Sequence, residues 1–168
     1  MGRTISLNEL KLVVDGMAKD KSPGPDGWTQ ELFSYFFDLM VHDLLNAVEE
    51  SRTLGFVNGG LNATFVNLIP KNSKPNSFDE FRPIALCSFA YKVISKIISL
   101  RFKEKFTLCM SREQFGFLND RLIFYAIGLA QEGLHSSKAK KQKSIFLKLD
   151  LRKAYDKVNW NFLRMVLI

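Results

Sequence analysis

Cysteine is scarce. Cys87 and Cys109 are the two in 168 residues, too few for a disulfide framework or a cysteine-rich metal cluster. Both stand in apolar surroundings and read as buried thiols. No apolar run reaches the ~18 residues that a membrane-crossing helix needs. The opening Met1–Ser6 has no apolar stretch of the kind a signal peptide carries. Gly2 and Ser6 fit an N-myristoylation pattern at two positions only, a chance level of agreement. There is no internal repeat and no linker long enough to separate domains. These absences predict an intracellular chain, nuclear or cytoplasmic, without a membrane partner and not secreted. Acidic side chains are the minority, 17 against 24 Lys and Arg, for a net charge of +7 and a pI near 9.5. Such a balance suits a polyanionic partner, most simply nucleic acid, and equally a merely basic soluble protein.

Hydrophobic bulk is plentiful. Apolar residues make up 46% of the chain, which excludes a disordered polymer, and fifteen Phe predict a core of aromatic character. Length predicts about one domain. Ser6-Leu7-Asn8-Glu9 is a capping box, opening a helix with Leu7, Leu10, Val14 and Met17 on one face. Lys21–Gly27 holds two prolines and two glycines and must be a turn-rich loop. Thr29 to Ser51 has helical spacing, either one helix or two with a break near Val41-His42; His42 falls on the surface. Gly55, Gly59 and Gly60 close this helical part.

Ala63–Ile69 alternates as a strand that Pro70 stops, and a polar loop follows. Ser77-Phe78-Asp79-Glu80 reads as a second capping box, for a single turn. Phe81–Cys87 is extended, since Pro83 biases Arg82 away from helix. Lys71 and Arg82 then stand at matching positions on the two sides of a hairpin. One Arg fork and one Lys point charge suit a triphosphate; two solvated cations beside a loop are the plain alternative. Phe89 to about Phe106 is a helix with Ala90, Val93, Ile94, Ile97, Ile98 and Phe102 as its apolar stripe. Lys92, Lys96 and Arg101 lie off that stripe and suit either a phosphate backbone or solvent. Ile123, Ala126, Ile127, Ala130 and Leu134 form another helix face. Ser136–Lys143 is a basic, hairpin-like connection.

Near the end, Ile145, Leu147 and Leu149 alternate with Phe146, Lys148 and Asp150, a half-buried strand with a carboxylate at its tip. Tyr155 and Asp156 follow in a tight connection. Asn159 caps a final helix bearing Phe162, Leu163, Val166 and Leu167. A strand that ends in Asp, with a bulky aromatic five residues on, suits a divalent metal beside a nucleotide sugar.

Asp150-x-x-x-Ala154-Tyr155-Asp156 resembles the first catalytic motif of reverse transcriptases, and the string through Val158-Asn159-Trp160 resembles the plant LINE-type (non-LTR) retrotransposon branch. Upstream blocks match in the same order. Ser22–Gly27 resembles the block that precedes the fingers. Leu68-Ile69-Pro70-Lys71 and Phe81-Arg82-Pro83-Ile84 resemble two fingers motifs. The Lys92, Lys96, Arg101 spacing and Gln114-Phe115-Gly116-Phe117 resemble two further blocks. The likeness covers about residues 7 to 165. It departs at Asp120-Arg121 and Tyr125, where relatives carry a Gly-Arg pair and a downstream acid.

The resemblance implies an α+β fold: a helix-rich fingers region with a short β-hairpin, residues 1–143 including an N-terminal extension, then the first strand and helix of an incomplete palm, residues 144–168, together one structural unit. It implies an RNA-directed DNA polymerase using an RNA template, a DNA primer and deoxynucleoside triphosphates. Asp150 would hold Mg²⁺, with the Leu151 carbonyl as a second metal ligand. Lys71 and Arg82 would contact the triphosphate, and Tyr155 would be the gate against a ribose 2′-OH, beside Leu151. Lys21, Lys92, Lys96, Arg101, Gln114 and Gly116 would lie along template and backbone. The family's Tyr-x-Asp-Asp hairpin, Gly-rich motif and thumb do not occur in these residues, so the expectation is a truncated enzyme, inactive by itself. A non-catalytic nucleic-acid-binding module and a decayed retroelement product with no selected role are the alternatives.

Overall fold

The computed structural model describes residues 2–118, 120–149 and 157–167. Asp150, Leu151 and Tyr155 therefore lie outside the described residues, and so does the turn expected around them. The chain divides into two compact units, Met1–Asp120 and Arg121–Ile168.

The first unit is a helical cluster with one hairpin. Helix α1 spans Leu7–Asp15, with Ser6 Oγ accepting from the Glu9 N–H at 3.1 Å. That bond satisfies one of the donors that a helix start leaves without an intrahelical partner. Leu10, Val13 and Val14 are buried; Leu7 is exposed, and Met17 packs beside the core. Helix α2 is Gln30–Tyr35 and helix α3 is Phe37–Leu54, parted at Phe36, whose ψ of 21° leaves helical geometry. The expected break at Val41-His42 is thus displaced. Val41 is a core residue inside α3, so the helix has to run unbroken past it. No Pro or Gly marks Phe36 locally. Gly55, at φ 72°, ends α3 in the left-handed cap that glycine takes without strain.

Strands β1 (Thr64–Pro70) and β2 (Phe81–Cys87) pair antiparallel. Helix α4 runs Phe89–Cys109, three residues past the expected end at Phe106. Helices α2, α3 and α4 all pack on α1, and α3 also packs on α4. Val93, Ile94 and Ile97 of α4 meet Leu10, Val13 and Val14 of α1 and Val41, Leu44 and Val48 of α3 in one cluster. Each such side chain contributes about 1.5–3 kcal/mol on burial. This core is aliphatic rather than aromatic. Of fifteen Phe, Phe33 and Phe89 are in it, stacked at 4.5 Å between ring centroids. Others, such as Phe78 and Phe117, are 88% and 96% exposed. The expected stripe residue Ile98 is also exposed. The thiols differ from expectation too: Cys87 is half-buried, and Cys109 is exposed at the last turn of α4.

The second unit holds α5 (Ile123–Ala139) and α6 (Trp160–Leu167). Asn159 caps α6 as expected, its Oδ1 accepting from the N–H groups of Asn161 at 2.9 Å and Phe162 at 3.1 Å. Helix α5 continues through Ser136–Ala139, so the basic connection is shorter than expected. None of its described side chains is buried. The strand expected at Ile145–Leu149 is not formed. Those residues are irregular, and Ile145 is 97% exposed. A strand is held by a partner's ladder, and the sheet among the described residues contains β1 and β2 alone.

Candidate nucleic-acid interface

The Pro-Gly loop is built to dock rather than merely to connect. A Cβ on Gly24 would stand 2.2 Å from the Cys87 carbonyl oxygen, so only glycine lets the loop backbone lie against the β2–α4 junction. The Gly27 N–H donates to the Gly24 carbonyl at 3.1 Å, closing a turn that presents Asp26. Asp26 Oδ2 accepts from the Phe89 N–H at 2.5 Å, and Oδ1 accepts from the Trp28 N–H at 3.3 Å. Phe89 opens α4, so Asp26 satisfies one of that helix's free donors from far back in the chain. Ser88 supplies the local cap, accepting from the Tyr91 N–H at 3.3 Å, while its hydroxyl donates to the Leu61 carbonyl.

This docking brings three expected cations together. Lys92 and Lys96 are one turn apart on α4, and Lys92 Nζ reaches the Ser22 carbonyl at 3.2 Å. Lys21, Lys92 and Lys96 line a cavity of about 330 Å³ with Met17, Trp28, Thr29, Gln30 and Phe89. Three lysines lining one depression attract phosphate by charge alone. Two nearby acids face backbone: Asp26 as above, and Glu31 through the Asp20 N–H at 2.5 Å, which holds Glu31 below the usual carboxylate range.

Sequence reasoning did not single out Trp28, Gln30 or the role of Asp26. Gln30 is 7% exposed; its Nε2 donates to the Val14 carbonyl at 3.3 Å and to Ser34 Oγ at 2.8 Å. Its Oε1 is buried without a hydrogen-bond partner among the described residues. No local signal distinguishes this Gln from an exposed helical one.

Arg101, expected on the same basic face, is bound within the fold. Its Nε and Nη2 each donate to a Glu9 oxygen at 2.8 Å, and its guanidinium also donates to the carbonyls of Arg3 at 2.9 Å and Thr4 at 3.2 Å. The Arg101 hydrogen bond is the main cause holding Glu9 below its ordinary range. Beside it, Glu49 pairs with Arg52 at 2.7 Å and accepts from the Ile5 N–H, and the Arg52 bond keeps its carboxyl low. With Arg52 Nη1 also donating to the Gly2 carbonyl at 3.0 Å, the two pairs strap residues 2–5 across α3 and α4.

On the hairpin, register corrects the expected pairing. Arg82 stands opposite Ile69, and Phe81 opposite Pro70. Lys71 lies one step beyond the strand, its N–H donating to the Glu80 carbonyl at 2.7 Å and its Nζ to the Asp79 carbonyl at 2.6 Å. The two cations are thus diagonal neighbours along the hairpin end rather than a directly facing pair. Ser77 makes no side-chain cap to the 3₁₀ turn Phe78–Glu80, so the second capping box is not formed. Glu80 instead accepts from the Asn76 N–H at 2.7 Å, the first cause of its lowered pKa. Gln114 and Gly116 share a turn after α4, with Gln114 Nε2 donating to the Gly116 carbonyl at 3.2 Å. Among the described residues no group of three or more His, Cys, Asp or Glu is placed to hold a metal. Among the described residues no helix is long and apolar enough to cross a membrane.

Residues 69–167 match the family described as Reverse transcriptase (RNA-dependent DNA polymerase). The chain is also 31% identical over 159 residues to the Transposon TX1 uncharacterized 149 kDa protein of Xenopus laevis. The match takes in 95% of this chain and 12% of that protein's length.

Proposed function

The chain belongs to the reverse transcriptase family, and from that premise we propose that it supplies the fingers and the opening of the palm of an RNA-directed DNA polymerase from a non-LTR retrotransposon of the plant LINE-type branch. The observation that carries this reading is the family match over 69–167, a span that includes Lys71, Arg82, Asp150, Leu151 and Tyr155. Residues 1–143 act as fingers with an N-terminal extension, and 144–168 as the start of the palm. The partners are an RNA template, a DNA primer and deoxynucleoside triphosphates.

Lys71 and Arg82 bind the triphosphate at the hairpin end, where charge on the departing pyrophosphate is neutralised by fixed cations. Tyr155 excludes a 2′-hydroxyl by its bulk. Asp150 and the Leu151 carbonyl are hard oxygen ligands of the type Mg²⁺ takes, and bound Mg²⁺ would supply the Lewis acidity of nucleotidyl transfer. Lys21, Lys92 and Lys96 hold the sugar-phosphate backbone of the template, with Gln114 and Gly116 further along it. Arg101 serves this surface by bracing α4 through Glu9. Asp150 is one metal carboxylate, and the two-metal reaction calls for more.

Purified residues 1–168 are therefore expected to bind template–primer without extending it. Extension on an RNA template with Mg²⁺ or Mn²⁺ that disappears in Asp150→Asn would overturn the second half of that expectation. Binding that does not weaken as salt rises would overturn the first. The lysine-lined cavity also favours a second reading, a nucleic-acid-binding module without catalysis. It predicts the same binding, with Asp150→Asn and Lys71→Ala both silent when residues 1–168 stand in their complete encoded polypeptide.

A further inference from the structure

Phosphate attraction accounts for Lys21, Lys92 and Lys96, but not for what lies between them. The cavity they line also contains Trp28, half-buried, its ring tilted 51° at 6.1 Å from Phe33. Phe33 in turn stacks on Phe89, so the indole is fixed by the aromatic part of the core. Trp28 and Phe89 line this cavity and also the neighbouring apolar one formed with Met40, Leu44 and Leu61. A fixed indole ringed by lysines is the pairing used by surfaces that bind single-stranded nucleic acid, where bases stack on aromatics and phosphates sit on cations. The cavity, about 330 Å³, is in the size range of small-ligand sites. Gln30 adds a third feature: a side chain 7% exposed, in the lining of the same cavity, with an acceptor oxygen that no donor among the described residues meets. A nucleobase carries N–H donors; a phosphate diester carries none.

We propose that this cavity takes one unpaired nucleotide of a single strand, its base stacked on Trp28 and its flanking phosphates on Lys21, Lys92 and Lys96. The idea rests on reading the cavity as a nucleic-acid contact and adds which part of the nucleotide enters it. A base already stacked in a duplex cannot enter, so the site discriminates single strand from duplex. It has no sequence preference beyond stacking strength, since every base presents a π-face.

Tryptophan fluorescence tests this directly. The chain has two Trp, and Trp160, 69% exposed, is removed as Trp160→Phe so that Trp28 reports alone. The probes are a ten-nucleotide single strand, the blunt duplex of the same sequence, and inorganic polyphosphate. The single strand is expected to quench Trp28 saturably, while polyphosphate binds without quenching and the duplex quenches little. Trp28→Leu should weaken the single strand by roughly tenfold or more and leave polyphosphate unchanged, since stacking is lost and charge is kept. If Trp28→Leu does not fold, quenching in the Trp160→Phe chain decides the matter. Single-strand binding without quenching, or equal quenching by polyphosphate, would overturn the stacked-base site while leaving the backbone contact of Lys21, Lys92 and Lys96 intact. If no probe binds, both readings fall.

Discussion

At the scale of single residues, the chemistry around Arg101 shows how burial changes a side chain's task. Its side chain is 10% exposed and that of Glu9 20%, with both carboxylate oxygens engaged. Removing one partner leaves the other charge desolvated and two carbonyls without their donor. Arg101→Met is expected to destabilise by about 2–4 kcal/mol in urea unfolding. The sign of the pH effect follows from the carboxylates. Glu9 and Glu49 are held below their ordinary value of 4.5 by Arg101 and Arg52. Their stabilisation is fully present above that unfolded value and is lost as pH falls through the lower folded values. Unfolding midpoints measured from pH 6 to about pH 3 should drop, and Glu9→Gln should flatten the slope. A midpoint independent of pH would show that the strap over residues 2–5 contributes nothing to stability.

At the scale of elements, docking of the Pro-Gly loop on the start of α4 decides the geometry of the lysine cavity. Gly24→Ala forces a Cβ into the Cys87 carbonyl, against backbone that cannot swing aside. The expected cost is about 1–3 kcal/mol, read as a lower thermal midpoint, together with weaker oligonucleotide binding as Lys21 moves away from Lys92 and Lys96. Asp26→Ala removes the distant cap of α4 and should cost about 1 kcal/mol, with Asp26→Asn keeping most of the stability. Equal loss in both variants would mean that charge at the helix start, rather than the hydrogen bond, holds the loop. The hairpin tells a different story. Phe65, Val66, Leu68, Ile69 and Ile84 are all exposed, so alternation along β1 did not translate into burial. Period-2 spacing marks which residues share a face and is silent on whether anything covers it.

At the scale of the whole molecule, the net charge of +7 becomes meaningful only through its distribution. Lys21, Lys92 and Lys96 converge, whereas Arg52 and Arg101 are neutralised within the fold. For a single strand, the plot of log affinity against log salt should lose a slope of about 0.7 for each of the three lysines changed to Gln. A change at Lys103, which is not in that cavity's lining, should leave the slope nearly unaltered. Equal slope losses at all four positions would show diffuse attraction rather than a defined track.

Local chemistry made much of this chain legible from its residues alone. The Ser6 and Asn159 caps, the Gly55 stop, the hairpin and the helices are written in short-range periodicity and hydrogen-bonding capacity, and each recurs in the fold. The family motifs were readable for the same reason, as residue types at fixed short spacings, and the reverse transcriptase family is borne out. Contacts between distant segments were not legible. The chain turns at Phe36 without a local breaker, Lys71 is set off from Arg82 by register, and Arg101 is claimed by Glu9. Trp28 joins the lysines only because Gly24 and Asp26 press the loop onto α4. Spacing along the chain determines which side chains share an element's face. Only packing decides which faces meet, because that choice depends on burying the most apolar area while leaving the fewest polar groups without partners.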